Sequence, residues 1–268
     1  MNRTNESGPV QWSVGPRQVG KVVLNRPEVN NAYDGDLIAG LGAAMDALSA
    51  AAGLRAIVIT GSGRHFQAGA DLKWIDAVRR RSEEENIQAS RATAEAVQRL
   101  NRLPVPTVAL VRGGCFGGGT GIIAACDVVV AADDAVFSIS EVRWGLTAGI
   151  IIPQLIDAVG LRQVRRYALT GERFGADEAR RIGLVHDVVP VAELDAAGDR
   201  IVAQLLENDP HAIAETKSIA FGYARGNLDA AEFNRLVVAH AAKRRSAEAA
   251  EGLASFAEKR TARWSGPP

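Results

Sequence analysis

Apolar positions along this chain switch between two periods. Val19 to Leu24 (VGKVVL) alternates and carries β-branched residues until Asn25-Arg26-Pro27 stops it, which predicts a strand entering a loop. From Asp36 to Ala52 apolar residues recur at helical spacing, with Asp34 or Asp36 available as a cap and Gly53 as a stop. Leu54 to Thr60 is strand again and runs into Gly61-Ser62-Gly63 and then HFQAGADLKW. A helical region from Asp71 to Leu103, dense in Arg and Glu, leads through Pro104 and Pro106 to the apolar strand Thr107 to Val111. The stretch Gly113 to Glu141 then changes from glycine loop to small-residue helix (Gly118 to Cys126), to buried strand (Asp127 to Ala132), to a turn and a second extended segment. Beyond it helical pattern dominates: 149–159, 161–169 and 176–182, a short strand from Leu184 to Val189, then helices near 191–207, 211–223, 227–241 and 247–260. The first eight or so residues look disordered.

Strand, loop, helix and strand in alternation argue for an α/β domain with largely parallel pairing, in which ligands collect at the carboxyl ends of strands. HFQAGAD and GGCFGGG both sit at such ends. No repeat of fixed period and no Ser- or Pro-rich linker appears, so the expected division is a core over residues 1–208 and a helical appendage over 209–268, with its boundary near Asp209-Pro210.

Composition narrows the classes. A length of 268 residues at 47% hydrophobic content suits a globular protein with a full core, and 31 basic residues balance 31 acidic ones. With no global field, neither nucleic acid nor an anionic membrane is an expected partner. The basic clusters Arg79-Arg80-Arg81, Arg165-Arg166 and Lys243-Arg244-Arg245 lack aromatic interleaving and read as solvated helix faces. No uncharged run reaches the ~20 apolar residues of a membrane helix, and MNRTNESGPVQ does not read as a signal peptide, so a soluble cytoplasmic protein is expected. Cys115 and Cys126 form no CxxC and read as small buried residues, with no metal site.

The glycine loop carries the chemistry. Glycines let a ligand approach peptide N–H groups, so such a loop can hold a phosphate, a dinucleotide or an oxyanion. The phosphate-loop pattern fails for want of a lysine after the glycines. Gly119-Thr120-Gly121-Ile122-Ile123-Ala124 matches the dinucleotide G-x-G-x-x-A, and Glu141 lies about twenty residues on. However, seven residues separate Val111 from Gly119, and a complete strand intervenes before Glu141. What remains is packing glycines alone, or an oxyanion hole made jointly by HFQAGAD and GGCFGGGTG.

The segments FQAGADLK, GGCFGGGTGIIAACDVVVAADDAVFSISEVRWGL and ALTGERFGADEARRIGLVHDVVP resemble the crotonase superfamily, the enoyl-CoA hydratases and isomerases. The resemblance implies a crotonase fold: a spiral of ββα units with a C-terminal helical region that mediates a homotrimer, often stacked into a hexamer. It implies an acyl-CoA substrate, with coenzyme A entering as part of the thioester and no separate cofactor. It places the oxyanion-hole N–H groups at Ala70 and Gly118 and an acid/base at Glu141. It also places contacts to coenzyme A or substrate at Arg26, Ala68, Ala70, Asp71, Leu72, Lys73, Gly117, Gly118 and Trp144, and at Phe256 and Lys259 of the C-terminal FAEKR. One departure stands out. Where two-glutamate hydratases carry their first glutamate this chain has Gly121, so one carboxylate must do both parts or serve a chemistry that needs only one. The wording GGGTGIIAACD with SEVR-x-GL looks like hydratases of branched or glutaconyl-type acyl-CoAs. Double-bond isomerisation, decarboxylation and a non-catalytic CoA-binding scaffold are the alternatives.

Several side chains have a second reading. Glu141 is either a desolvated proton shuttle in a pocket walled by Trp144 or a surface carboxylate paired with Arg143. His65 reads better as a turn anchor than as a catalyst, and His240 as a packed helix residue. Tyr33 and Asp34 could line the entrance.

Overall fold

The computed structural model describes residues 4–223, 230–243 and 246–265, apart from the side chains of residues 230, 232, 233, 236, 240, 241, 256 and 265. The chain falls into two compact units, Met1–Ile201 and Val202–Pro268. In the first, short strands β1 (Thr4–Asn5) and β2 (Val10–Val14) precede β3 (Val19–Leu24), α1 (Gly35–Ser49) and β4 (Ala56–Gly61). There follow α2 (Leu72–Val78), α3 (Glu83–Asn101), β5 (Thr107–Val111), β6 (Gly114–Phe116), α4 (Gly118–Ala124), β7 (Val128–Ala132) and β8 (Val136–Ser138). The unit continues through α5 (Ile152–Thr170), β9 (Phe174–Gly175), α6 (Ala176–Arg181) and β10 (Asp187–Val189). Helix α7 (Leu194–Leu206) spans the division, and α8 (Pro210–Tyr223), α9 (Ala230–Lys243) and α10 (Ala247–Ala257) form the second unit.

The long sheet runs β1-β2-β3-β4-β5-β7-β10 and the short one β6-β8-β9. Pairing is antiparallel from β1 to β3 and parallel from β3 to β10. Each turn β5-β6-α4 and β7-β8-α5 adds one strand to each sheet, which is the ββα spiral. All five residues of β5 are buried, as befits a parallel strand covered on both faces.

Three elements differ from their expectation. Residues 4–5 are a paired edge strand, Thr4 opposite Ser13 and Asn5 opposite Trp12, in place of disorder; both are exposed and leave no period-2 signal. The helical region from Asp71 breaks after Val78 because Ser82 starts a new helix by a capping box. Its Oγ accepts from Glu85 N–H, and the Glu85 carboxylate accepts from Ser82 N–H. Strand β6 was hidden in the glycine loop, being only three residues long. The two helices expected either side of Gly160 are there, joined through that residue at φ 76°.

In the second unit Glu251 holds Arg260 at 2.6 Å and Arg263 at 3.4 Å, and Trp264 donates to Glu207 O at 3.0 Å. No helix among the described residues is long and apolar enough to cross a membrane, and none of their side chains form a cluster suited to a metal ion.

Candidate active site

Two strand-end loops meet here. After β4 the chain doubles back so tightly that a Cβ on Gly61 would lie 2.4 Å from Phe66 O. Asn31, fully buried with φ 58°, pins this loop. Its amide donates to Ser62 O (2.9 Å), His65 O (2.8 Å) and Phe66 O (3.2 Å), and its Oδ1 accepts from Arg26 N–H (2.8 Å). Gln67 then pairs with the glycine loop, donating to Gly114 O at 3.1 Å and accepting from Phe116 N–H at 2.9 Å. Tyr33 N–H donates to Gly69 O and Asp71 N–H to Tyr33 O, each at 2.8 Å. Between them Ala70 N–H has no acceptor among the described residues.

The glycine loop is fixed from its other side. Gly113 N–H donates to Asp134 Oδ1 at 3.1 Å, and Gly114 N–H to His65 Nδ1 at 2.7 Å, so His65 anchors a turn. Gly117 N–H donates to Ser138 O at 2.9 Å, and its φ of 48° with ψ −119° turns the chain into α4. A side chain is disfavoured at that conformation, which explains the glycine. Gly118 is the first helical residue, and its N–H also has no acceptor among the described residues. The loops touch: a Cβ on Gly69 would meet Phe116 O at 3.2 Å.

Glu141 opens a 3₁₀ turn after β8 and lies over this junction. Its Oε1 is 3.0 Å from where a Gly117 Cβ would be, and its Oε2 is buried without a hydrogen-bond partner. Burial pushes its carboxyl above the ordinary 4.5 despite a backbone hydrogen bond that pulls the other way. Arg143, the partner a surface carboxylate would need, packs against Gly171 instead. Tyr33 is held up to about 12 by burial first and by the Glu141 charge second.

All the expected site residues of the first unit line one open cavity of about 960 Å³. Arg26, Ala68, Ala70, Asp71, Leu72 and Lys73 come from the loops after β3 and β4 and the start of α2, and Gly117, Gly118, Glu141 and Trp144 from the glycine loop, α4 and the turn after β8. They differ in what they leave free. Arg26 is tied to Asp34 (3.0 Å), Asp71 (3.4 Å) and Ala32 O (2.6 Å), and Asp71 also caps α2. Leu72 is 45% exposed and Trp144 60%, so Trp144 is lip more than wall. Lys73 is exposed. Lys259 is exposed in the second unit, at φ 51°. The side chains of Phe256 and His240 lie outside the described residues.

Tyr33 was expected no closer than the entrance, and Gln67 and Ile151 were not read as part of the site. The ring of Tyr33 lies across Gly118, its Cε1 2.5 Å from where a Cβ would be, and meets Trp74 edge-on at 5.9 Å. Gln67 is buried with Oε1 unpartnered. Ile151, 2% exposed, fills the space in front of Gly121: a Cβ there would stand 2.3 Å from its Cγ2 and 2.7 Å from its Cβ. The missing glutamate is therefore a plugged position, and no repeat or spacing links residues thirty apart that meet only in the fold.

The model of the enoyl-CoA hydratase/isomerase family matches residues 15–267. A hydroxycinnamoyl-CoA hydratase-lyase of Pseudomonas fluorescens is 35% identical over 73% of this chain and 72% of its own length. The human mitochondrial Delta(3,5)-Delta(2,4)-dienoyl-CoA isomerase is 33% identical over 80% of this chain and 68% of its own. The crystal structure of an enoyl-CoA hydratase from Shewanella pealeana superposes with a TM-score of 0.92 at 31% identity, covering 97% of each chain. Sheet order, strand-end loops and these matches agree: the fold is that of crotonase, and the chain belongs to the enoyl-CoA hydratase/isomerase family.

Proposed function

We propose that this hydratase/isomerase-type enzyme adds water to a 2-enoyl-CoA thioester of branched or glutaconyl type, using Glu141 as its one acid/base and the N–H groups of Ala70 and Gly118 as the oxyanion hole. The observation that carries the reading is the Glu141 carboxylate, buried with Oε2 unpartnered, poised above ordinary carboxylate acidity beside a loop junction with two free peptide donors. A group raised towards neutral can both take and return a proton. Donors already in place need no reorganisation when charge reaches the thioester oxygen. Arg143 and Arg173 on the cavity rim, the latter 5.3 Å above the Phe116 ring, support an acyl group with a carboxylate of its own. Coenzyme A arrives with the substrate, and the assembly is a homotrimer or a dimer of trimers, which light scattering of the purified protein tests.

A second reading, double-bond isomerisation, draws on Ile151: an apolar wall at position 121 offers no second carboxylate to water. Product mass from a panel of 2-enoyl-, 3-enoyl- and glutaconyl-type CoA thioesters, run with wild type and Glu141→Gln, separates the readings. Gain of one water, lost in the variant, is the expected result. Unchanged mass with a moved double bond supports isomerisation. Loss of carbon dioxide that survives the substitution indicates a decarboxylase, and CoA binding with no product indicates a scaffold.

A further inference from the structure

Water added by one carboxylate leaves a gap in its hydrogen bonding. The molecule has two O–H bonds, and Glu141 takes the proton of one as the oxygen bonds to C3. The π electrons of C2=C3 then pass into the thioester as enolate, and Glu141 returns the proton to C2. No group in that sequence receives the second O–H, and an unheld water attacks from many orientations. Position 121 cannot supply the acceptor, because Ile151 occupies the space its side chain would need.

The cavity does hold another uncommitted polar group close to Glu141. Tyr33 lines it, its backbone is paired on both sides of Ala70, and its ring lies across Gly118. It is thereby located against both free N–H donors. Its hydroxyl has no hydrogen-bond partner among the described residues, and the Glu141 charge acts on it directly. The phenol stays neutral across the working range, so it accepts a hydrogen bond without placing a second negative charge beside Glu141. Trp74 packs edge-on against the ring and limits its swing.

We propose that Tyr33 is a catalytic residue of the hydration, its hydroxyl accepting the second O–H of the water that Glu141 deprotonates. This rests on the hydration reading above. The water's oxygen keeps a lone pair for C3, and Tyr33 neither gains nor loses a proton.

The test compares wild type with Tyr33→Phe, which keeps the ring on Gly118, in two reactions of the full chain. One is water addition to a 2-enoyl-CoA, followed by product mass. The other is exchange of the α-hydrogens of the saturated acyl-CoA in deuterium oxide, followed by NMR, which needs Glu141 and the hole but no added water. The expected result is a kcat for hydration lowered about 10- to 100-fold, with exchange within about twofold of wild type. Hydration unchanged in the variant overturns the proposal and leaves the hydration reading standing. Equal loss of both reactions also overturns it, since Tyr33 would then only build the hole. If wild type exchanges α-hydrogens but adds no water to any thioester, the hydration reading itself fails and takes the proposal with it. Should the Phe variant not fold, Tyr33→Met removes the same hydroxyl and puts the same question.

Discussion

Substituting Gly121 by alanine sets two effects against each other, and the structure says which wins. Alanine inside α4 improves helix propensity by about 1 kcal/mol. The new Cβ, however, would stand 2.3 Å from Ile151 Cγ2 and 2.7 Å from Ile151 Cβ. The second atom is attached to the backbone and cannot swing away. Overpacking costs about 1–3 kcal/mol, and two contacts this short belong at its upper end, about 2–3 kcal/mol, so after the helix gain the single variant is expected to be destabilised by about 1–2 kcal/mol. In an Ile151→Gly background the obstruction is gone. Position 151 caps α5, where glycine is tolerated, and the added methyl fills part of the new cavity. There Gly121→Ala should stabilise by about 1 kcal/mol. Urea unfolding of the four proteins, followed by circular dichroism, gives the cycle, with a coupling of about 2–3 kcal/mol expected. The same sign for Gly121→Ala in both backgrounds would refute the reasoning and reopen position 121 to a larger side chain.

Other outcomes follow from the site. Glu141→Gln should raise the melting temperature at neutral pH, because burial holds the folded carboxyl above 4.5 and wild-type stability from this group is lost as pH rises through that raised value. The advantage should vanish below the ordinary carboxylate range, and a pH-independent difference between the two melting curves would contradict the assignment. Gly117→Ala forces a side chain to φ 48° and sets a Cβ 3.0 Å from Glu141 Oε1. A stability loss of about 1–3 kcal/mol in urea is expected, with a turnover loss larger than that figure explains. Arg26→Ala removes the guanidinium shared by Asp34, Asp71 and Ala32 O, and should cost about 1–2 kcal/mol and raise KM more than it lowers kcat. An unchanged KM would limit Arg26 to a structural role.

What the sequence disclosed depended on range. The strands 19–24 and 107–111 and the helix capped by Asp34 were legible because their apolar period and their stop signals are local. The glycine loop could be recognised because backbone exposure leaves a compositional mark, whereas the roles expected of Ala70, Gly118 and Glu141 came from the family resemblance and not from the pattern itself. Strand β1 escaped because it is two exposed residues held only by backbone pairing. Ile151 escaped, and Tyr33 was placed only at the entrance, for a different reason. Their part in the site is a contact across the fold, and nothing in an apolar residue ahead of a helix, or in a tyrosine before a capping aspartate, announces what it will face.

The buried amide of Asn31 bears on how this enzyme can change. By binding three carbonyls of the loop after β4 and the peptide of Arg26 together, it joins the loops after β3 and β4 into a single part. The cavity lining from α2 and α3 has a pin of its own, the Asn86 amide, which donates to Val78 O (2.9 Å), Arg81 O (3.2 Å) and Ser82 O (3.0 Å), yet it meets the cavity through apolar side chains such as Ile75, Val78 and Val97. The shape of the cavity is therefore open to change through replacement of those apolar side chains, one at a time, while the backbone that Asn31 holds is inherited unchanged.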